Sequence, residues 1–245
     1  MHMSDSMNKN VESALEDLFS DSSNLESMEV TLPSLAKGYK NTKKVVRIRP
    51  MTYDDEKYIA THSGENILDD ILTRCVSDVL LDELYLEDKL FLYYKIRESS
   101  FGAISKISTS CFKCGTINDL EIDLSQLPID YASDTFENPK KVFLPNLKKD
   151  AFVTKVQVSN QDYSKTNDQL LTNLWRFISK IGDCEDPVVI SQAVKKLSSA
   201  DIRTIMKSIN ESDFGIDSRA KYICNKCNSE NVASVGLSLD FFSMS

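Results

Sequence analysis

Two short turns, Cys111-Phe112-Lys113-Cys114-Gly115 and Cys224-Asn225-Lys226-Cys227-Asn228, constrain this chain more than any other feature. Two residues between the cysteines let both thiolates of one turn reach a single ion, so each turn supplies half of a tetrahedron. The next residue is Gly115 or Asn228, the types that most readily take positive φ, as a tight turn aiming its amides at sulfur requires. A lysine, Lys113 or Lys226, precedes each second cysteine. Four thiolates around a dication leave a net charge of about −2, which ammonium groups partly offset. The pattern predicts one structural zinc ion held by Cys111, Cys114, Cys224 and Cys227.

The flanks predict hairpins. Leu120, Ile122 and Leu124 alternate after the first turn, and Ala233, Val235, Leu237, Leu239 and Phe241 after the second. Two such hairpins facing each other make a zinc ribbon. The 109 residues from Gly115 to Ile223 separate the pairs, and loop-closure entropy grows only logarithmically with such a length. The bland alternatives are two unrelated thiol pairs or a redox dithiol. A catalytic zinc would need a position open to water, which four sulfurs do not leave.

The remaining cysteines, Cys75 and Cys184, stand alone, so the six cysteines point to metal binding rather than a secreted disulfide framework. With 41% apolar and 27% charged residues, the 245-residue chain can bury a sizeable core. Its 37 acidic and 29 basic residues give a net charge of −8, which opposes wrapping on a polyanion. No stretch approaches the roughly 20 apolar residues of a membrane span, and MHMSDSMNKN lacks a signal-peptide core, so the expected location is cytoplasmic.

Residues 1–27 read as a flexible arm, with Val11, Leu15, Leu18 and Phe19 on one side of a short helix. EVTLP and VVRIR predict a strand pair with Val46 and Ile48 inward. Thr52 with Asp55 is a capping pair, so a helix should start there and end near Ser63-Gly64. Ile67, Leu68, Ile71, Leu72, Cys75, Val76 and Val79 predict a second helix, with Cys75 buried. YLEDKLFLYYKIRESSFG predicts a third, ending near Ser99 to Gly102, with Leu90, Phe91 and Tyr94 inward and charged residues between them. Extended segments are expected around LEIDL, KVFLP and AFVTKVQV. A helical stretch should follow from about Gln161 to Asn210, with turns near Gly182-Asp183 and Leu197-Ser198, its clearest apolar face being Leu170, Leu171, Leu174, Trp175 and Ile178.

The expected fold class is therefore α+β: mixed helices and short antiparallel strands, with a zinc ribbon assembled from two distant CxxC hairpins. The units are an arm (1–27), an α+β region (28–110), the first zinc hairpin with β segments (111–160), a helical insertion (161–213) and the second zinc hairpin (214–245).

No catalytic constellation accompanies this. GxxxxGK[ST], GxGxxG and HExxH are all missing. His62, in THSGEN, reads as a solvated turn residue, and Cys75 and Cys184 as inert thiols. The uninterrupted basic run Lys37, Lys40, Lys43, Lys44, Arg47 and Arg49 reads first as a solvated hairpin, and otherwise as a face for phosphate or an acidic partner.

TLPSLAKGY, VVRIRPMTYDDEKYI, LYLEDKLFLYYKIRESSFG and CFKCG with LEIDLSQLP, in that order, resemble the baseplate hub and hub-assembly proteins of T-even-type contractile-tailed bacteriophages. The likeness spans roughly residues 29–158 and rests on Leu32-Pro33-Ser34, Ile48-Arg49-Pro50-Met51-Thr52, and Lys95-Ile96-Arg97 leading to Gly102. It implies a structural or assembly component, not an enzyme, partnered by other baseplate or tail hub proteins rather than by membrane, nucleic acid or a small-molecule substrate. It also implies the host cytoplasm during assembly, or the tail baseplate of the virion. Val11, Leu15, Leu18 and Phe19 are the expected partner-binding residues. The competing reading is a zinc-ribbon nucleic-acid-binding accessory factor that uses the basic run and Tyr39.

Overall fold

The computed structural model describes Ala14 and residues 27–242, except 63, 65, 212 and 238. Val11, Leu15, Leu18 and Phe19 lie outside the described residues. The described chain is α+β, with helices against small antiparallel sheets.

β1 (Met28–Thr31) pairs antiparallel with β2 (Val45–Ile48), with Val30 opposite Val46. Val46 and Ile48 are buried while Val45 and Arg47 are exposed, as a half-covered strand of period two requires. α1 (Tyr53–Thr61) starts after Thr52, whose amide and hydroxyl both donate to Asp55 at 2.9 Å. α2 (Ile67–Cys75) ends earlier than its periodicity predicts. Val76 leaves the helix to join β3 (Val76–Ser77), which pairs with β2, and Cys75 is buried as expected.

α3 (Leu86–Phe101) is the centre of the first core, and Gly102 stops it with φ 85°. Phe91 and Tyr94 face inward as predicted, but Leu92, Tyr93 and Ile96 are buried too, so the helix is covered on more than one side. Two of its charges, Asp88 and Arg97, are buried. Asp88 accepts the amide (2.9 Å) and hydroxyl of Ser34 and the Tyr39 hydroxyl (2.6 Å). Arg97 donates to the Gly102 carbonyl at 3.0 Å. Ser34 also accepts the Ala36 amide, holding Leu35 and Ala36 at φ 55° and 58°. That backbone region costs non-glycine residues roughly 1–2 kcal/mol each.

β4 (Ile104–Ser110) and β5 (Ile117–Asp123) form the first cysteine hairpin. β6 (Ile129–Asp130) follows, and then the chain builds a second core. β7 (Lys140–Leu144) and β8 (Lys149–Val153) pair antiparallel, and β9 (Ile178–Ile181) adds to β8. α4 (Asn167–Asn173), α5 (Pro187–Val194) and α6 (Ser199–Asn210) supply the rest. The turns expected near Gly182-Asp183 and Leu197-Ser198 are present, but the stretch before the first of them is not all helical. After α4 the chain makes a 3-10 turn over Leu174–Phe177 and enters β9. Leu170, Leu174 and Ile178 are buried, Trp175 is half-buried, and Leu171 is exposed.

The chain then returns to the first core. β10 (Gly215–Ile216) pairs with β6, and β11 (Arg219–Ile223) with β12 (Glu230–Ser234) forms the second cysteine hairpin. Alternation after this turn predicts strand as far as Phe241, but β12 stops at Ser234 and a 3-10 turn covers Leu239–Phe242. That turn folds Phe241 against Tyr94, with ring centroids 5.2 Å apart, and the Tyr94 hydroxyl donates to the Val235 carbonyl. Lys155 ties the two cores together. Its buried ammonium donates to the Glu211 carbonyl at 2.6 Å and sits 2.9 Å from the Glu87 carboxylate.

Candidate metal centre

Each cysteine turn closes by the same backbone bonds. The Cys111 amide donates to the Thr116 carbonyl and the Gly115 amide to the Cys111 carbonyl, both at 2.9 Å. In the second turn Cys224 donates to Ser229 and Asn228 to Cys224, both at 3.0 Å. Gly115 and Asn228 sit at φ 70° and 52°, the left-handed backbone that the sequence predicts at both positions.

The hairpins bring Cys111, Cys114, Cys224 and Cys227 together, with all four sulfurs within 4.8 Å of one another, so that this set could hold a metal ion. The approaches run across the hairpins: Cys111 to Cys227 and Cys114 to Cys224 are each 3.7 Å. None of the four is in a disulfide. The Lys113 amide donates to the Cys111 sulfur at 3.4 Å.

The surroundings favour thiolate unevenly. The Ser229 hydroxyl, then the Cys114 and Lys113 amides, bring the Cys111 thiol down to about 5. The Cys227 and Lys226 amides lower Cys224. Cys227 gains from the Ser229 hydroxyl and amide, yet it is raised overall by burial and by the neighbouring Cys114 and Cys111 sulfurs. Four sulfurs this close repel one another as anions, and a cation among them removes that penalty.

Cysteine spacing does not reveal two further residues. Asn118, on β5, accepts the Asn225 amide at 3.0 Å and donates to the Thr116 carbonyl at 2.9 Å. Asn231, on β12, accepts the Phe112 amide at 3.1 Å and donates to the Ser229 carbonyl at 2.9 Å. Both are buried. The signal is in the sequence: a hydroxyl residue (Thr116, Ser229) stands two places after the second cysteine and an asparagine four places after it, in both turns. The repeated unit is thus eight residues, CxxC[GN][TS]xN.

The other candidates are otherwise engaged. Burial pushes the Cys75 thiol up to about 11. Exposed His62 caps α1 and stacks on Tyr58 at 4.0 Å, while Ser63 and Glu65 lie outside the described residues. Much of the basic run is paired: Lys43 and Arg47 with Asp78, Arg49 with Asp55, and Lys37 with Asp134. Among the described residues no helix is long and apolar enough to cross a membrane.

The described residues thus form an α+β protein whose distant hairpins meet at a cluster of four cysteines. The model of a family described as T4 bacteriophage base plate protein matches residues 27–243, and the chain belongs to that family. The match runs well past residue 158, through the second core and the second cysteine hairpin. No curated protein sequence and no solved structure matches the chain.

Proposed function

We propose that this chain is a structural or assembly component of the tail baseplate hub, a protein–protein scaffold stapled by one zinc ion on Cys111, Cys114, Cys224 and Cys227. The observation that carries the staple is the sulfur spacing. Zinc–sulfur bonds of about 2.3 Å put the corners of a tetrahedron about 3.8 Å apart, and both cross-hairpin pairs stand at 3.7 Å. When bound, the zinc supplies a cross-link and two positive charges. The chain's own groups hold the sulfurs: the turn amides and the Ser229 hydroxyl stabilise thiolate, and the left-handed residues Gly115 and Asn228 close the turns. Four sulfur ligands leave no coordination position for a reacting water, which supports a structural rather than a catalytic role.

Membership of the baseplate family supports partners among the other tail and baseplate proteins, met in the host cytoplasm during assembly or in the virion. Val11, Leu15, Leu18 and Phe19 are the proposed contact with a neighbouring subunit. The competing nucleic-acid reading loses support from the pairing of Lys37, Lys43, Arg47 and Arg49 with carboxylates. The experiment is to isolate baseplates and their intermediates from infected cells and quantify the chain by mass spectrometry, for wild type and for Cys114→Ser. The expected result is wild-type protein in these particles and a depleted variant. Wild-type protein absent from every particle would remove the baseplate role; a metal-free variant incorporated at wild-type level would remove the staple.

A further inference from the structure

We infer that Asn118 and Asn231 are positioning residues that dock the two cysteine turns on each other before any metal arrives, so that the four-sulfur site is assembled in advance. This rests on the proposed metal site and adds how that site is built across 109 residues of intervening chain.

The two carboxamides form a reciprocal clasp. Asn118 belongs to the first hairpin but accepts an amide of the second turn, from Asn225, at 3.0 Å; Asn231 belongs to the second hairpin and accepts an amide of the first turn, from Phe112, at 3.1 Å. Each spends its amino group on a carbonyl of its own turn at 2.9 Å. These partners fix which end of each carboxamide is oxygen, because an amide N–H needs an acceptor and a carbonyl needs a donor. Asn118 is fully buried and Asn231 nearly so, so loss of either would leave a backbone amide without its acceptor.

The clasp acts on the residue after each first cysteine, Phe112 or Asn225, and so sets where Cys111 and Cys224 stand relative to the opposite turn. Neither asparagine carries a ligand atom in the four-sulfur set, so the cross-turn bonds do not need an ion to exist. The arrangement also reaches the sulfurs. The Asn118 amino group lies 3.8 Å from the Cys224 sulfur, and Asn231 donates at 3.0 Å to the Ser229 hydroxyl, itself 3.0 Å from the Cys227 sulfur. Groups that orient metal ligands in this way typically change metal affinity by about 10–100-fold when removed.

The test uses the full chain loaded with zinc and then challenged with excess chelator. Asn118→Ala and Asn231→Ala should each release zinc about 10-fold faster than wild type, whereas Ile122→Val, which loosens the same hairpin away from the turns, should release it at the wild-type rate. Asn118→Asp, which keeps the acceptor and loses the donor, should recover part of the loss. In parallel, hydrogen exchange on chelator-stripped wild type should find the Phe112 and Asn225 amides still protected, a measurement that needs no variant to fold. Zinc uptake at full occupancy, with both amides unprotected in the stripped protein or with alanine variants releasing at the wild-type rate, would overturn the clasp while leaving the metal site standing. Wild-type protein that takes up no zinc would instead overturn the metal site and this role with it.

Discussion

Asn118 and Asn231 each accept a backbone amide from the other's cysteine turn, so the two hairpins are related by a reciprocal exchange as well as by their four cysteines. The duplication therefore extends beyond metal-ligand spacing. A CxxC pair specifies where two sulfurs of one turn stand, but nothing in it says how two turns far apart in sequence find each other. The hydroxyl and asparagine that follow at fixed offsets supply that information in this fold.

Elemental analysis should find one zinc per chain in the wild type and a loss of stoichiometric zinc in Cys114→Ser and in Cys227→Ser, since three sulfurs no longer close the site. Full occupancy in both variants would contradict the assignment.

Asp55 predicts sensitivity to acid. Burial alone would raise its carboxyl, but Arg49, the Thr52 amide and Arg74 outweigh that and hold it well below the usual carboxylate range. The native state therefore keeps the charge while the unfolded state takes up a proton at about pH 4. Stability from this group is complete above that value and falls as pH drops below it. Asp55→Ala should cost near the low end of about 3–5 kcal/mol for breaking a buried ion pair, because Arg49 and Arg74 remain partly solvated. Urea titrations at pH 7 and pH 3 would measure both effects.

Asp88 has the opposite sign. Burial raises its carboxyl to about 6, although Ser34 and Tyr39 donate to it. Between about pH 4 and pH 6 the native state binds more protons than the unfolded chain, so this contribution to stability falls as pH rises through that window. Asp88→Asn should flatten that slope. A carbon-13 NMR titration of the side-chain carboxyl that found an ordinary Asp midpoint would refute the assignment.

The second core shows where periodicity fails. Leu170, Leu174, Phe177, Ile178 and Ile181 recur at three- and four-residue spacings and are all buried, yet they span a helix, a 3-10 turn and a strand. Burial against one core keeps the spacing while the backbone changes, because β9 is recruited by β8 and not by local propensity. Local signals elsewhere were legible: the Thr52–Asp55 cap, the parity of Val46 and Ile48, and the CxxC turns. The burial of Asp88 was not, since a charge on a helix reads as solvated until a loop distant in sequence covers it; Ser34 lies 54 residues from Asp88. The distinction is measurable in neighbouring leucines. Leu174→Ala, at a fully buried site, should cost about 2–5 kcal/mol, whereas Leu171→Ala, at a site 49% exposed, should stay within about 0.5 kcal/mol.

The last prediction concerns Val11, Leu15, Leu18 and Phe19, an apolar stripe with helical spacing in a Ser- and Asp-rich segment. Isolated helices shorter than about 12–15 residues are marginal in water, so the stripe needs a surface to fold against. Among the described residues the first core is built by α2, α3 and the returning Phe241 and Phe242. Deleting residues 1–26 should therefore leave the melting temperature and zinc content of the purified protein nearly unchanged while lowering its incorporation into baseplate intermediates. A deletion that unfolds the isolated protein would assign the stripe to this chain's own core. Unaltered incorporation would move the contact elsewhere, and the basic hairpin segment from Lys37 to Arg49, where Lys40 and Lys44 remain exposed, becomes the next surface to alter.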